Sequence, residues 1–416
     1  MCHFQVNLRC HSVTARRGTA TADGGRAGRL SIPYLTLCIP PHMRGRIREG
    51  RGRAIVRRLC RVPGSGRTGI HDGDMMARRI LAALTLGALL ASPAPKGMAQ
   101  TPPPATCVLT VQELGGTLVV ASPAGRTLAE IRIGDRPHEI AVSRDGGTAY
   151  VSQFGITDYD SRIGTPGDRV AEIDLSRARR GADFVLPAPA RGPHGVKLRP
   201  GTSELFVNAE AGRPAMFVFD TRTRRLLRSF AVPAGTHNFI FSPDGRSLYA
   251  FAGANGVSAI HPDDGRILAH LDTQSPIRGL VLTRAGTLLA SARGGLLELR
   301  TDDLSVVRHL AAPRPGQFIY AEPWPDGMIV APSPADGGVA IFPADHGTAT
   351  FALTGKSPIL VRRGPDDLIY VSNAEDDHIT VLDRAGQIVR TIPGLSGPNG
   401  LAFGQCPGPG SGPGRP

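Results

Sequence analysis

After residue 99 the chain has no GxSxG, HExxH, CxxC or phosphate-loop motif. It therefore lacks the local signatures of the corresponding hydrolases, zincins, dithiol enzymes and nucleotide-binding proteins. It also lacks an apolar run long enough to span a bilayer, since the segment Ile80 to Ala91 is about 12 residues against the roughly 20 that a helical span needs. Net charge is missing from most of the chain. The whole sequence carries a formal +13, yet residues 1–74 hold 14 Arg against four acids, and Arg78, Arg79 and Lys96 supply the rest. Residues 100–416 have 31 basic and 31 acidic side chains, which removes the usual electrostatic reason to expect nucleic acid or an anionic surface as partner. Cysteine is nearly absent there too. Of six in all, Cys2, Cys10, Cys38 and Cys60 precede residue 75, leaving Cys107 and Cys406.

What is present begins at Met75. The stretch MMARRILAALTLGALLASPAPKGMAQ has a basic start at Arg78 and Arg79, an apolar middle and small residues through Ala99. That is the order of a secretory signal peptide over residues 75–99, with cleavage after Ala99 and a periplasmic or secreted product. The arginine pair also suggests a twin-arginine signal, though its neighbours fit poorly. Residues 1–74 show no helical or strand period; they read either as sequence upstream of a start at Met75 or Met76, or as a disordered basic extension. Within them Gly64 to Gly69 matches GxGxxG but has no strand before it, so it carries no nucleotide-binding implication. Residues 100–106 read as a linker, 107–404 as one folded domain and 405–416 as a disordered Gly/Pro tail.

The domain repeats itself. RPHEIAVSRDGGTAYVSQFG at residue 136 returns as GPHGVKLRPGTSELFVNAEA at 192 and GTHNFIFSPDGRSLYAFAGA at 235. Aligned on His138, His194 and His237, further copies follow at Arg278, near Phe318 and Ile359, and at Asn399. The intervals are 56, 43, 41 and then about 40 residues. Each copy reads as a short alternating strand, a turn such as Ser242-Pro243-Asp244-Gly245, and three more strands. Turn residues every ten or so positions exclude a helical solenoid. Four strands per period predict an all-β, seven-bladed β-propeller, because one such sheet is apolar on both faces and must stack on neighbours around an axis. The seventh copy stops after its first strand, whereas residues 107–134 hold three strands before the first full copy. One C-terminal and three N-terminal strands therefore close the last blade and leave no open edge. Cys107 and Cys406 flank the place where other blades have a covalent turn; in an exported chain they predict a disulfide, the alternative being two thiols at frayed ends.

Tyr370-Val371-Ser372-Asn373, followed by Ile379 to Asp383, and the phrases SPDGRSLYAF and RPHEIAVSRDGGTAYVSQ resemble the YVTN-repeat β-propellers. These are exported bacterial relatives of the propeller domains in lactonases and cytochrome d1-type reductases. The likeness covers about residues 107–404. Blades 4 and 5 depart from it, with Ala285-Gly286 in place of Asp-Gly and EPWPDG interrupting an inner strand. The resemblance implies a fold more than an activity, and it also implies that a blade-opening Pro-His-Gly can serve backbone hydrogen bonding alone.

In a propeller the first strand of each blade lines the channel, so His138, His194, His237, Arg278 and Asn399 are expected at one rim, the ligand-binding mouth. Three imidazoles from adjacent blades suit Zn or Cu with open positions, Arg278 suits an anionic substrate, and Glu139 is a candidate partner behind them. The alternatives are structural histidines or an organic ligand without metal. The long first interval marks an insertion at residues 154–169, whose Asp158, Tyr159, Asp160 and Asp168 are placed over the channel; solvated loop acids explain them better than calcium. Asn208 with Glu210 and Asn373 with Glu375 end second strands at the same rim, as turn-formers do. Trp324 is expected in the core between blades. The expected protein is a monomeric exported propeller, without membrane span or nucleic-acid partner, that binds a small molecule or periplasmic protein without catalysis. The alternatives are a metal-assisted lyase or lactonase and, by family analogy, an accessory to a periplasmic redox enzyme.

Overall fold

A computed structural model describes residues 105–157, 163–345 and 347–408. The leader, the signal-peptide segment and loop residues Asp158, Tyr159 and Asp160 lie outside the described residues. The described strands form seven antiparallel sheets arranged as a seven-bladed β-propeller. Blades 1 to 6 follow the chain, with inner strands Pro137–Val142, Arg191–Leu198, Asn238–Phe241, Leu280–Leu282, Glu322–Pro323 and Pro358–Arg363. Among the described residues no helix is long and apolar enough to cross a membrane.

Period-2 alternation explains why the blades stack. In the second strand of blade 2, Glu204–Ala211, Leu205 and Val207 enter the core shared with blade 1. Phe206, between them, enters the core shared with blade 3. Seven such cores occupy the seven junctions between blades. Each fully buried aliphatic or aromatic side chain contributes about 1.5–3 kcal/mol, and none of it is available to a blade standing alone. Second and third strands are consequently buried on both sides, whereas outer strands such as Ile388–Ile392 are largely exposed.

The seventh blade joins the last described strand to the first three. Pro398–Gln405 pairs antiparallel with Thr106–Gln112, which continues to Thr117–Ala121 and Thr127–Arg132. Cys107 and Cys406 form a disulfide with Cα atoms 5.0 Å apart. Gln405, expected just beyond the domain, ends the inner strand, and Cys406 N–H donates to the Ala105 carbonyl at 2.8 Å.

Two blades depart from the common plan. Blade 1 carries its insertion between strands Thr148–Gln153 and Arg169–Asp174, and its outer edge is split into Arg179–Arg180 and Phe184–Val185. The base of the insertion is pinned by an Ile156–Gly164 bridge. In blade 5 the inner strand shrinks to Glu322–Pro323 because the following turn buries Trp324 among Val361, Ile369 and Val371 of blade 6.

Candidate functional site

The recurring inner-strand position is held by a buried polar residue near the end of the preceding blade's second strand. Ser152 Oγ accepts from Glu139 N–H at 3.0 Å and donates to the His194 carbonyl at 2.9 Å. Asn208 does the same work one blade on, donating to the carbonyls of Thr236 and His237 at 2.9 and 3.2 Å. Ser372 donates to the Asn399 carbonyl at 2.9 Å. The bonds to the His194, Thr236, His237 and Asn399 carbonyls satisfy backbone acceptors of the next blade, which fixes the anchor residues across blade boundaries. After two anchors the chain requires glycine for close approach. A Cβ on Gly279 would run into the Tyr320 backbone, and one on Gly400 into the His138 carbonyl oxygen.

Four of the anchors form a continuous row. Asn399 Nδ2 lies 2.9 Å from His138 Nδ1, the His138 and His194 ring centroids are 4.1 Å apart, and those of His194 and His237 are 3.9 Å apart. Phe154, from the start of the insertion, packs edge-on against His194 at 4.8 Å and near His138 at 5.5 Å. His138, His194 and Asn399 are buried, so the row opens to solvent only at its other end. There the side chain of His237 is 14% exposed and that of Glu210 23%. Glu210 Oε1 lies 3.0 Å from His237 Nδ1 and 3.7 Å from His194 Nδ1. Thus the donors brought together are His194, Glu210 and His237, all within 4.8 Å of one another; His138 instead turns its Nδ1 to Asn399.

Beside His237 lies a cavity of about 280 Å³ lined by Arg278, Gln317, Ile319 and Tyr320, with Pro334 and Ala335. Arg278 is exposed and, among the described residues, forms no ion pair. The other sequence candidates are used differently. Asp168 Oδ1 accepts from Arg169 at 2.9 Å, and its Oδ2 lies 3.8 Å from Arg191. Asn373 is buried between Thr354 and Thr380, while Glu375 is exposed beside a neighbouring groove lined by Lys356 and Asp336.

Below the rim the channel holds Glu139, the expected partner behind the histidines, together with Lys197, Asn238, Glu322 and Arg362, which sequence reading did not single out. Glu139 takes Lys197 at 2.7 Å and the Asn238 amide at 2.8 Å. Together with Glu322 and Arg362 these groups line a small cavity of about 120 Å³. Burial acts to raise the Glu139 carboxyl, but Lys197, with His194 and His138, more than offsets it and holds the group at about 2. Glu322 goes the other way: burial pushes it up, and Arg362, at 3.4 Å, does not compensate. A signal was available for part of this. Glu139 and Asn238 follow their anchors by one residue and Lys197 by three, so strand alternation sends them to one side.

No family model matches the sequence, and no curated protein matches it. The chain is similar in structure to a functionally unknown protein from Desulfotomaculum acetoxidans DSM 771, with a TM-score of 0.58 and 12% identity over 72% of this chain and 99% of that one. It is also similar to Kuenenia stuttgartiensis hydrazine synthase, with a TM-score of 0.51 and 19% identity over 72% of this chain and all of that one. At these identities the likeness establishes the propeller fold and nothing about chemistry.

Proposed function

We propose that the protein is an exported, periplasmic propeller of the YVTN-repeat kind that binds a small anionic molecule, or an acidic segment of a periplasmic partner, at the rim and does not transform it. The observation that carries this reading is Arg278, an exposed guanidinium without an ion pair among the described residues, at the edge of a cavity of about 280 Å³ shared with His237, Gln317 and Tyr320. A guanidinium presents paired donors that match a carboxylate, and the apolar Ile319 and Pro334 beside it suit a small organic anion. The signal-peptide grammar of residues 75–99 and the Cys107–Cys406 disulfide support export.

The test is thermal unfolding of the purified chain with a panel of small carboxylates. At least one should raise Tm in proportion to the logarithm of its concentration, and the rise should vanish in Arg278→Ala. If no carboxylate shifts Tm, or if native and variant respond alike, the reading fails. The contact of three imidazole rings favours a second reading, a metal-assisted lyase or lactonase. That reading differs by predicting turnover of the bound anion, lost in His194→Ala with the fold retained.

A further inference from the structure

We propose that His194, Glu210 and His237 form a binding site for one divalent transition-metal ion, zinc by the chemistry of its donors. The three come from rigid places. His194 lies in the inner strand of blade 2, Glu210 in the strand beside it, and His237 enters blade 3 with its carbonyl held by Asn208. Their donor atoms are mutually within 4.8 Å, and the two Nδ1–Oε1 separations are 3.0 and 3.7 Å. A tetrahedral ion with bonds of about 2.0–2.1 Å sets its ligands about 3.3 Å apart, and the two separations bracket that value. Two imidazoles and one carboxylate are also a set that zinc uses when a fourth position is left for water or substrate. Calcium and magnesium ask for more oxygens than are gathered there.

The ligand set differs from three histidines in one residue, and the reason is visible. His138 presents Nδ1 to Asn399 at 2.9 Å, one blade junction away from Glu210. The site uses neither Arg278 nor the lining of the cavity apart from His237, so it does not depend on the anion-binding reading. If both hold, the ion lies beside the bound anion, because His237 belongs to both.

The experiment is calorimetric titration of Zn(II) into the full chain, purified without a polyhistidine tag and stripped with chelator, with Co(II) absorption as a second readout. One equivalent should bind, and Co(II) should show the intense visible bands of a four-coordinate site. Glu210→Gln should weaken Zn(II) about a hundredfold or more, beyond the loss caused by removing an outer partner, with unchanged near-UV dichroism. Should Glu210→Gln misfold, His237→Gln, also at the open end of the row, must give the same loss. His138→Asn and Arg278→Ala should bind Zn(II) as the native chain does. The proposal is overturned if no specific site is found, if Glu210→Gln binds as tightly as native, or if His138→Asn loses as much as Glu210→Gln. A native chain that binds a carboxylate but no Zn(II) removes this inference alone; one that binds Zn(II) but no carboxylate removes the anion reading alone.

Discussion

Glu139 shows what a single side chain does in the channel. It is nearly buried, yet Lys197 at 2.7 Å and the Asn238 amide at 2.8 Å keep it ionised down to about 2. A carboxyl held below its ordinary value of 4.5 adds stability that is fully present above that value and is lost as pH falls from 4.5 toward about 2. The loss should amount to about 3 kcal/mol. Glu139→Gln should therefore remove roughly that much at neutral pH, leaving Lys197 without its charge partner, and should flatten the acid limb. Urea denaturation of both proteins between pH 6 and about 2 checks this; equal slopes would show that the carboxylate is not coupled to folding. The pairing was not legible in sequence, because nothing local tells which inner strands face each other around the ring. Glu210 was placed at the rim but read as a strand-ending turn-former, so its approach to His237, 27 residues on in the neighbouring blade, was missed.

At the scale of the strand, the fold was legible wherever it rests on local chemistry. Turns such as Ser242 to Gly245, where Gly245 takes φ 68° and its N–H donates to the Ser242 carbonyl at 2.9 Å, recur and mark the strand ends. Near the end of the second strand Asn208 was read as a turn-former, and the equivalent Ser152 and Ser372 were not singled out. Their work is to hold the next blade. Ser152→Ala should leave the Glu139 N–H and His194 carbonyl without that hydroxyl and cost about 1–3 kcal/mol. An exposed control such as Ser176→Ala should cost far less. Comparing the urea midpoints decides it, and equal costs would mean that the inter-blade bonds contribute nothing. The split outer edge of blade 1 was not legible, since its pairing with Arg169–Asp174 follows from packing of Phe184 against Phe219 in blade 2 rather than from strand pattern.

For the molecule as a whole, the ring must be closed between the two ends of the propeller, about 300 residues apart, and the structure does this with a four-strand sheet and one disulfide across a separation of 299. Replacing both cysteines by serine should lower stability by up to about 5 kcal/mol on loop-closure grounds, and a reductant should shift the native protein but not the variant. Unchanged stability on reduction would assign closure to the strand pairing alone. Closure also positions the rim, because Asn399 from the C-terminal strand meets His138 of blade 1 and begins the row that ends at His237. The most direct test of the functional account is calorimetric titration of the most stabilising carboxylate into the native chain and into Arg278→Ala. The account predicts one site in the native chain and loss of its heat signal in the variant; the same affinity in both would place the ligand elsewhere and contradict it.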